Sequence, residues 1–422
     1  MTDRVVPSAQ HAESLWRIRV EQELKGKPFD SLIHRIGEKN ILPMYFDHEW
    51  IAPRNSSHPW FIHEEFTCAD ANELNALILM ALQGGAQSIG IPFLAGKMEV
   101  VLKDVFVEFV QVHLRDVSDV QSCLNEMEAL LHQRNLEANQ WQGSMEVNAN
   151  ACSSDAIKEM HSRWKNTFTR IRFFAVNSSS IHDTGVDSTA ELVHLLWHSN
   201  ATLETLICAG LSPDDASAMM HWRMGIGTDF LNETAKFRAW RIIWDALIRA
   251  YHPQHNCSSH TIVHAHMSNA EYSLRDTHNN LLRISTAVLS AALGGAQIIS
   301  ADAYTHLTGN ITHADRRITR NVQHLLVEEC SLHQYSDATD GAHYFEAITE
   351  ALANEAWSKF KTFSDLGENA LTDYFNTIAS ERKANIVSGK QVVVGSNKYV
   401  DASKTISAPP QATHISAVAE RT

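Results

Sequence analysis

A (β/α)8 TIM barrel with an N-terminal helical and extended arm is the α/β fold this sequence predicts. Three observations predict it. From Trp60 onward, short apolar runs alternate with longer amphipathic stretches. Eight such runs occur, each followed by a helical segment, which is the count of a closed barrel; a doubly wound open sheet shares the alternation and is the competing architecture. The length of 422 residues, 44% hydrophobic and 20% charged, suffices to bury one large core.

Taken in order, residues 9–24 read as a helix ended by Lys25-Gly26-Lys27-Pro28, and an extended stretch through Ile41-Leu42-Pro43-Met44-Tyr45 follows. Together they form an arm over residues 1–57. The strand candidates are Trp60–Phe66, Ser88–Pro92, Val107–Leu114, Gln140–Asn148, Arg170–Asn177, Met219–Gly225, Ile262–Met267 and Gln297–Ala301. Between them, helical periodicity covers Ala71–Leu82, Val120–His132, Ser188–Leu206, Phe230–Ala250 and Asn279–Leu293. Gly84-Gly85 and Gly294-Gly295 stand where helices commonly end on a glycine. Further helices are expected near Thr312–Cys330 and Tyr344–Asp365. The barrel is assigned residues 58–375 and a C-terminal extension 376–401. Residues 402–422, rich in Ser, Thr, Pro and Ala, read as a flexible tail or linker stub.

With 49 acidic against 35 basic residues the net charge is −14, which excludes nucleic acid and anionic membrane as natural partners. Six cysteines lie scattered without a CxxC pair, the usage of reduced cytoplasmic thiols. Met1-Thr2-Asp3-Arg4 opens no apolar signal core, and no run reaches membrane-spanning length.

Of 24 histidines, His252, His255 and His260 lie with Cys257 at spacings a zinc site can use, but no second ligand pair follows, and a hydrated loop is the plainer reading. No metal is expected. His264 and His266, two apart on one strand, face the same way, toward the barrel interior or its mouth. Gly225-Ile226-Gly227 lacks the third glycine of a nucleotide fingerprint. Glu233, Lys236, Arg238 and Arg241 have the spacing of a solvated ion-pair face on the helix Phe230–Ala250.

Several stretches, in order along the chain, are similar to the methylmalonyl-CoA mutases, the adenosylcobalamin-dependent acyl-CoA mutases. They are Glu23-Leu24-Lys25-Gly26-Lys27-Pro28-Phe29 with Pro43-Met44-Tyr45, Phe230 to Trp244, Arg316 to Gln323, Asp340-Gly341-Ala342-His343-Tyr344-Phe345-Glu346, and Gln391 to Tyr399. The resemblance implies a barrel in which the cofactor supplies a radical and the protein supplies orientation and a dry interior. It also implies a tyrosine after the first strand, a histidine after the fifth and an arginine for the substrate carboxylate.

The matched positions depart from that set. Pro59-Trp60-Phe61-Ile62-His63-Glu64-Glu65 places Glu65 at the tyrosine position, Ser178-Ser179-Ser180 places Ser180 at the histidine position, and Glu271-Tyr272-Ser273-Leu274-Arg275 brings Arg275 in after the seventh strand. The carboxylate-binding arginine has no counterpart in Gly143-Ser144-Met145-Glu146-Val147-Asn148. A carboxylate at Glu65 is expected to repel an anionic acyl-CoA unless it is paired. Asp276-Thr277-His278-Asn279-Asn280 approaches the cobalamin-binding Asp-x-His-x-x-Gly, yet Leu281 stands at the glycine position, and Asp276 reads as a helix N-cap.

The chain ends at Thr422, so the resemblance implies a barrel without a cobalamin-binding domain. The pattern resembles the small (β) subunit of heterodimeric methylmalonyl-CoA mutases. The expectation is a non-catalytic, cytoplasmic scaffold bound to a large subunit, with Glu65, Ser180 and Arg275 as degenerate site positions. Adenosylcobalamin is then expected on the partner only. Two alternatives are the barrel of a split acyl-CoA mutase whose cobalamin domain is a separate chain, and a homodimeric ligand-binding barrel with a residual pocket of His264, His266 and Arg275.

Overall fold

A computed structural model describes residues 9–41, 60–334 and 337–401. The arm comprises helix α1 (Ala9–Glu23) and a hairpin of β1 (His34–Ile36) and β2 (Lys39–Ile41). The barrel opens with β3 (Phe61–Glu65), α2 (Ala71–Gln83), β4 (Ser88–Pro92), α3 (Met98–Val101), β5 (Gln111–Arg115) and α4 (Val120–Gln133). It continues through β6 (Gln142–Val147), α5 (Ser154–Asn166), β7 (Ile171–Asn177), the short α6 (Ser179–His182), α7 (Ser188–Cys208) and α8 (Pro213–Met219). Then come β8 (Met220–Ile226), α9 (Phe230–Ala250), β9 (Val263–Met267), α10 (His278–Gly294) and β10 (Ile298–Ser300). Helices α11 (His313–His324), α12 (His343–Leu366) and α13 (Glu368–Val387) complete the described chain.

Strands β3 to β10 close in the order β10-β3-β4-β5-β6-β7-β8-β9, every pair parallel. The fold is therefore the (β/α)8 barrel, and the open sheet is excluded. Local chemistry sets the helix starts: Asp70, Asp119, Ser153 and Asp187 accept from backbone N–H groups of the first turns of α2, α4, α5 and α7. Gly295, left-handed at φ 82°, ends α10. Thr277, not Asp276, occupies the N-cap position of α10, and Asp276 instead accepts from the Asn279 side-chain amide at 3.2 Å.

Outward-facing strand residues such as Ile89, Val112, Met145, Trp222 and Met224 are buried beneath the helices. Trp222, Trp240 and Trp244 cluster there at tilted angles, with the Trp222 and Trp244 ring centroids 4.5 Å apart. Helix α9 packs against α7, α10 and α12, which cover its first three turns on every side, while Ala246, Arg249 and Ala250 near its end are exposed. Glu233, Lys236, Arg238 and Arg241 are therefore buried, contrary to the solvated ion-pair face that their spacing suggests: Lys236 is 0% and Arg238 1% exposed.

The β1–β2 hairpin lies on α12, where Lys39 pairs with Glu350 at 2.7 Å. Helix α13 runs unbroken through position 376, where the C-terminal extension was expected to begin. The segment after it returns to the loop following β9: Ser396 bonds Ser273 at 2.8 Å, and Arg283 donates to the Val394 carbonyl at 2.5 Å. Pro43-Met44-Tyr45, Pro59 and the tail 402–422 lie outside the described residues.

Candidate functional site

Parallel strands covered on both faces are normally uniformly apolar, but here the positions facing the barrel axis are polar at alternate residues. His63 and Glu65 come from β3, His113 and Arg115 from β5, Ser144 and Glu146 from β6, His221 and Arg223 from β8, and His264 and His266 from β9. Ser300 and Asp302 follow the same rhythm at β10. They form two layers.

The lower layer is imidazole and hydroxyl. His63 Nδ1 bonds Ser88 Oγ at 2.8 Å and His113 Nδ1 bonds Ser144 Oγ at 2.6 Å, each to the neighbouring strand. Ser300 Oγ bonds both His264 Nε2 (2.7 Å) and His266 Nδ1 (2.8 Å). The His63 and His264 ring centroids are 4.5 Å apart. Gly90 makes the room, since a Cβ there would stand 2.8 Å from His63 Nε2 and 3.1 Å from Glu65 Cγ. Burial pushes His63 below the ordinary histidine range and, with the neighbouring His63, pushes His113 and His264 well below it. His221 is lowered to about 3 by burial, then by Arg172 and Arg223. These rings are neutral at pH 7.

The upper layer, at the C-terminal mouth, is charged. Arg223 clasps Glu65 with both Nη atoms, the second at 2.9 Å, and Arg115 Nη1 donates to Glu65 Oε2 at 2.9 Å. Burial alone would raise the Glu65 carboxyl. Arg223, then His266, His63 and Arg115, hold it well below its usual range. Asp302 is held at about 2 against burial by His266, and Glu146 is raised by burial. Glu65 is 9% exposed, so the expected repulsive carboxylate is present but fully paired. Among the described residues the mouth has arginines after all, at 115 and 223, and both are committed to Glu65.

The other expected positions fall elsewhere. Ser180 is exposed on α6. The nearby histidine is His182, 2% exposed, whose Nε2 lies 3.6 Å from Glu233 and 3.8 Å from Glu191. Lys236 completes that cluster with bonds of 2.6 Å to each of these glutamates and 2.9 Å to the Gly225 carbonyl. Burial opposes the charge on His182, but Glu191 and Glu233 together outweigh it and raise the ring above the usual range.

His264 and His266 do meet at the axis, but Arg275 is not with them. Its guanidinium donates to the Ser396 carbonyl at 2.8 Å, because the C-terminal segment covers the loop that carries it. His252, His255, Cys257 and His260 are exposed, as a hydrated loop should be. Two cavities, about 370 Å³ and 410 Å³, lie between the loops after β7 to β9 and helix α13. Neither is lined by the axial residues. A third cavity, about 340 Å³, reaches the axial residue Glu146, and the groups able to hold a metal at the axis are His63, Glu65 and His264.

A family model described as methylmalonyl-CoA mutase matches residues 149–421, well over half of the sequence. The chain belongs to the methylmalonyl-CoA mutase family. Among its relatives is the methylmalonyl-CoA mutase small subunit of Porphyromonas gingivalis, 24% identical over 438 residues that cover 91% of this chain and 69% of that protein. The methylmalonyl-CoA mutase of Cereibacter sphaeroides is 25% identical over 91% of this chain and 64% of its own length. The human mitochondrial methylmalonyl-CoA mutase is 28% identical over 54% of this chain and 32% of its own. The chain thus spans about two thirds of the first two relatives and a third of the human mutase. Among the described residues, no helix is long and apolar enough to cross a membrane.

Proposed function

We propose that this chain is a non-catalytic, small-subunit-like component of an adenosylcobalamin-dependent methylmalonyl-CoA mutase. It serves as scaffold and interface while a large subunit interconverts methylmalonyl-CoA and succinyl-CoA. The observation that carries the reading is the Glu65–Arg223–Arg115 cluster. An acyl-CoA carboxylate needs a free cation, and both guanidiniums at the mouth already serve Glu65. Evicting them would leave Glu65 buried without a counter-charge, a loss of several kcal/mol for any ligand to overcome.

Adenosylcobalamin does not fit what this mouth offers. Position 65 is a paired carboxylate, position 180 is an exposed serine, and His278 packs at a tilt against Tyr304 with ring centroids 5.9 Å apart. On this reading the cofactor belongs to the partner, and the arm supplies a surface for that partner: Arg17, Ile18 and Arg19 of α1 are exposed, Ile18 at 54%.

The test mixes the purified chain with adenosylcobalamin, a cobalamin-domain protein and methylmalonyl-CoA. No turnover is expected, and a large mutase subunit should co-purify with the chain from its native source. Turnover without a large subunit would establish the split-mutase reading instead. Recovery as a homodimer with no large subunit attached would overturn the scaffold role.

A further inference from the structure

We propose that the axial cluster is a divalent transition-metal site, with His63 Nε2, Glu65 Oε1 and His264 Nε2 as ligands. The three atoms lie within 4.8 Å of one another. Glu65 Oε1 is 3.6 Å from His63 Nε2 and 3.7 Å from His264 Nε2. Tetrahedral zinc with bonds near 2.1 Å separates its ligands by about 3.4 Å, so sub-ångström shifts close the site.

The second observation is an orphan. His63 Nε2 is wholly buried and has no hydrogen-bond partner. Its other nitrogen is held by Ser88 Oγ at 2.8 Å. A ring that donates from Nδ1 to a fixed hydroxyl presents the bare lone pair of Nε2, which is how metal-binding histidines are oriented. His113 repeats the arrangement one strand over: Nδ1 on Ser144, Nε2 buried without a partner, and its ring centroid 5.1 Å from that of His63. Two such nitrogens beside one carboxylate are left unsatisfied unless something binds them.

The arginines are the argument against a cation here, and the charge count answers it. Arg115 and Arg223 face three carboxylates at the mouth, Glu65, Glu146 and Asp302, so the guanidiniums are outnumbered by carboxylates around the site. Arg115 and Arg223 Nη2 both bond Oε2 of Glu65, so they can remain while Oε1 turns from Arg223 Nη1 to the ion. Ser300 Oγ keeps its bond to His266 when His264 Nε2 takes the metal. Glu146 and Asp302, with side chains 26% and 22% exposed, offer an entry path from the mouth. Two imidazoles and one carboxylate select zinc, cobalt, nickel or iron over magnesium and calcium. The inference does not depend on any role in a mutase.

The full chain, stripped with a chelator, is incubated with Zn2+ or Co2+, desalted and assayed for metal. About one ion per chain is expected, with the visible absorption of four-coordinate Co2+ and a melting temperature that rises with added Zn2+. Mg2+ should not be retained. Ser88→Ala should weaken binding about 10–100-fold by freeing the His63 ring, and His63→Gln with His264→Gln should abolish it. Retention of less than about a tenth of an ion by the unaltered chain would overturn the site, and that result requires no variant to fold. So would an undiminished stoichiometry in the double variant, which would place the ion on other histidines.

Discussion

Glu65 sets the character of the barrel. Its replacement by glutamine keeps the shape and removes the carboxylate that both Arg115 and Arg223 hydrogen-bond. Removing one partner of a buried ionic network typically destabilises by about 3–5 kcal/mol, because the remaining charge stays desolvated. Glu65→Gln should lose stability on that scale in urea unfolding, and adding Arg223→Met should recover part of the loss. A loss below about 1 kcal/mol would show that water reaches the cluster and screens it. The sequence made Glu65 legible as a departure from the family pattern, and His264 and His266 as a same-facing pair. It did not reveal Arg115, Arg223 or His63 as their companions. Their one signal was polar residues two apart within runs otherwise read as buried strands. Which strands face one another across a closed barrel is settled only by closure.

Helix α9 shows where reading an element alone fails. Spacing on one helix reports which side chains are neighbours, not whether a second layer of helices covers them. Lys236 bonds Glu191 and Glu233 at 2.6 Å from a fully buried position, and α12 supplies Glu346 to Arg238. Lys236→Met should therefore destabilise by about 3–5 kcal/mol, where a solvated helix face would tolerate it within about 0.5 kcal/mol; chemical unfolding distinguishes the two. Elsewhere the apolar runs placed all eight strands to within a few residues, because strands buried on both faces leave a strong signal. Helices α5 and α13 were missed for the opposite reason. Each buries only two residues, Ile157 and Met160 in one, Leu371 and Phe375 in the other.

For the whole molecule, the buried histidines set the response to acid. His63, His113, His221 and His264 have folded values below the unfolded value of about 6.5, so the folded chain binds fewer protons than the unfolded one. Stability should fall as the pH drops below about 6.5, by about 1.4 kcal/mol per pH unit for each ring. Glu65 and Asp302, held low, add their own loss below about pH 4. His182 works the other way: its raised value contributes fully below about 6.5 and is lost as the pH rises through it. Four rings outweigh one, so the urea midpoint should drop between pH 7.5 and 5.5; a flat or rising midpoint would contradict neutral axial histidines. Arg238 carries a consequence for how the chain is made. Its partners Asp337 and Glu346 lie about a hundred residues downstream. While the ribosome is still releasing that stretch, α9 holds a cation with no counter-charge and resists being covered. The outer cover of α9 is therefore completed late, since α12 can seal Arg238 only once residue 346 has been made.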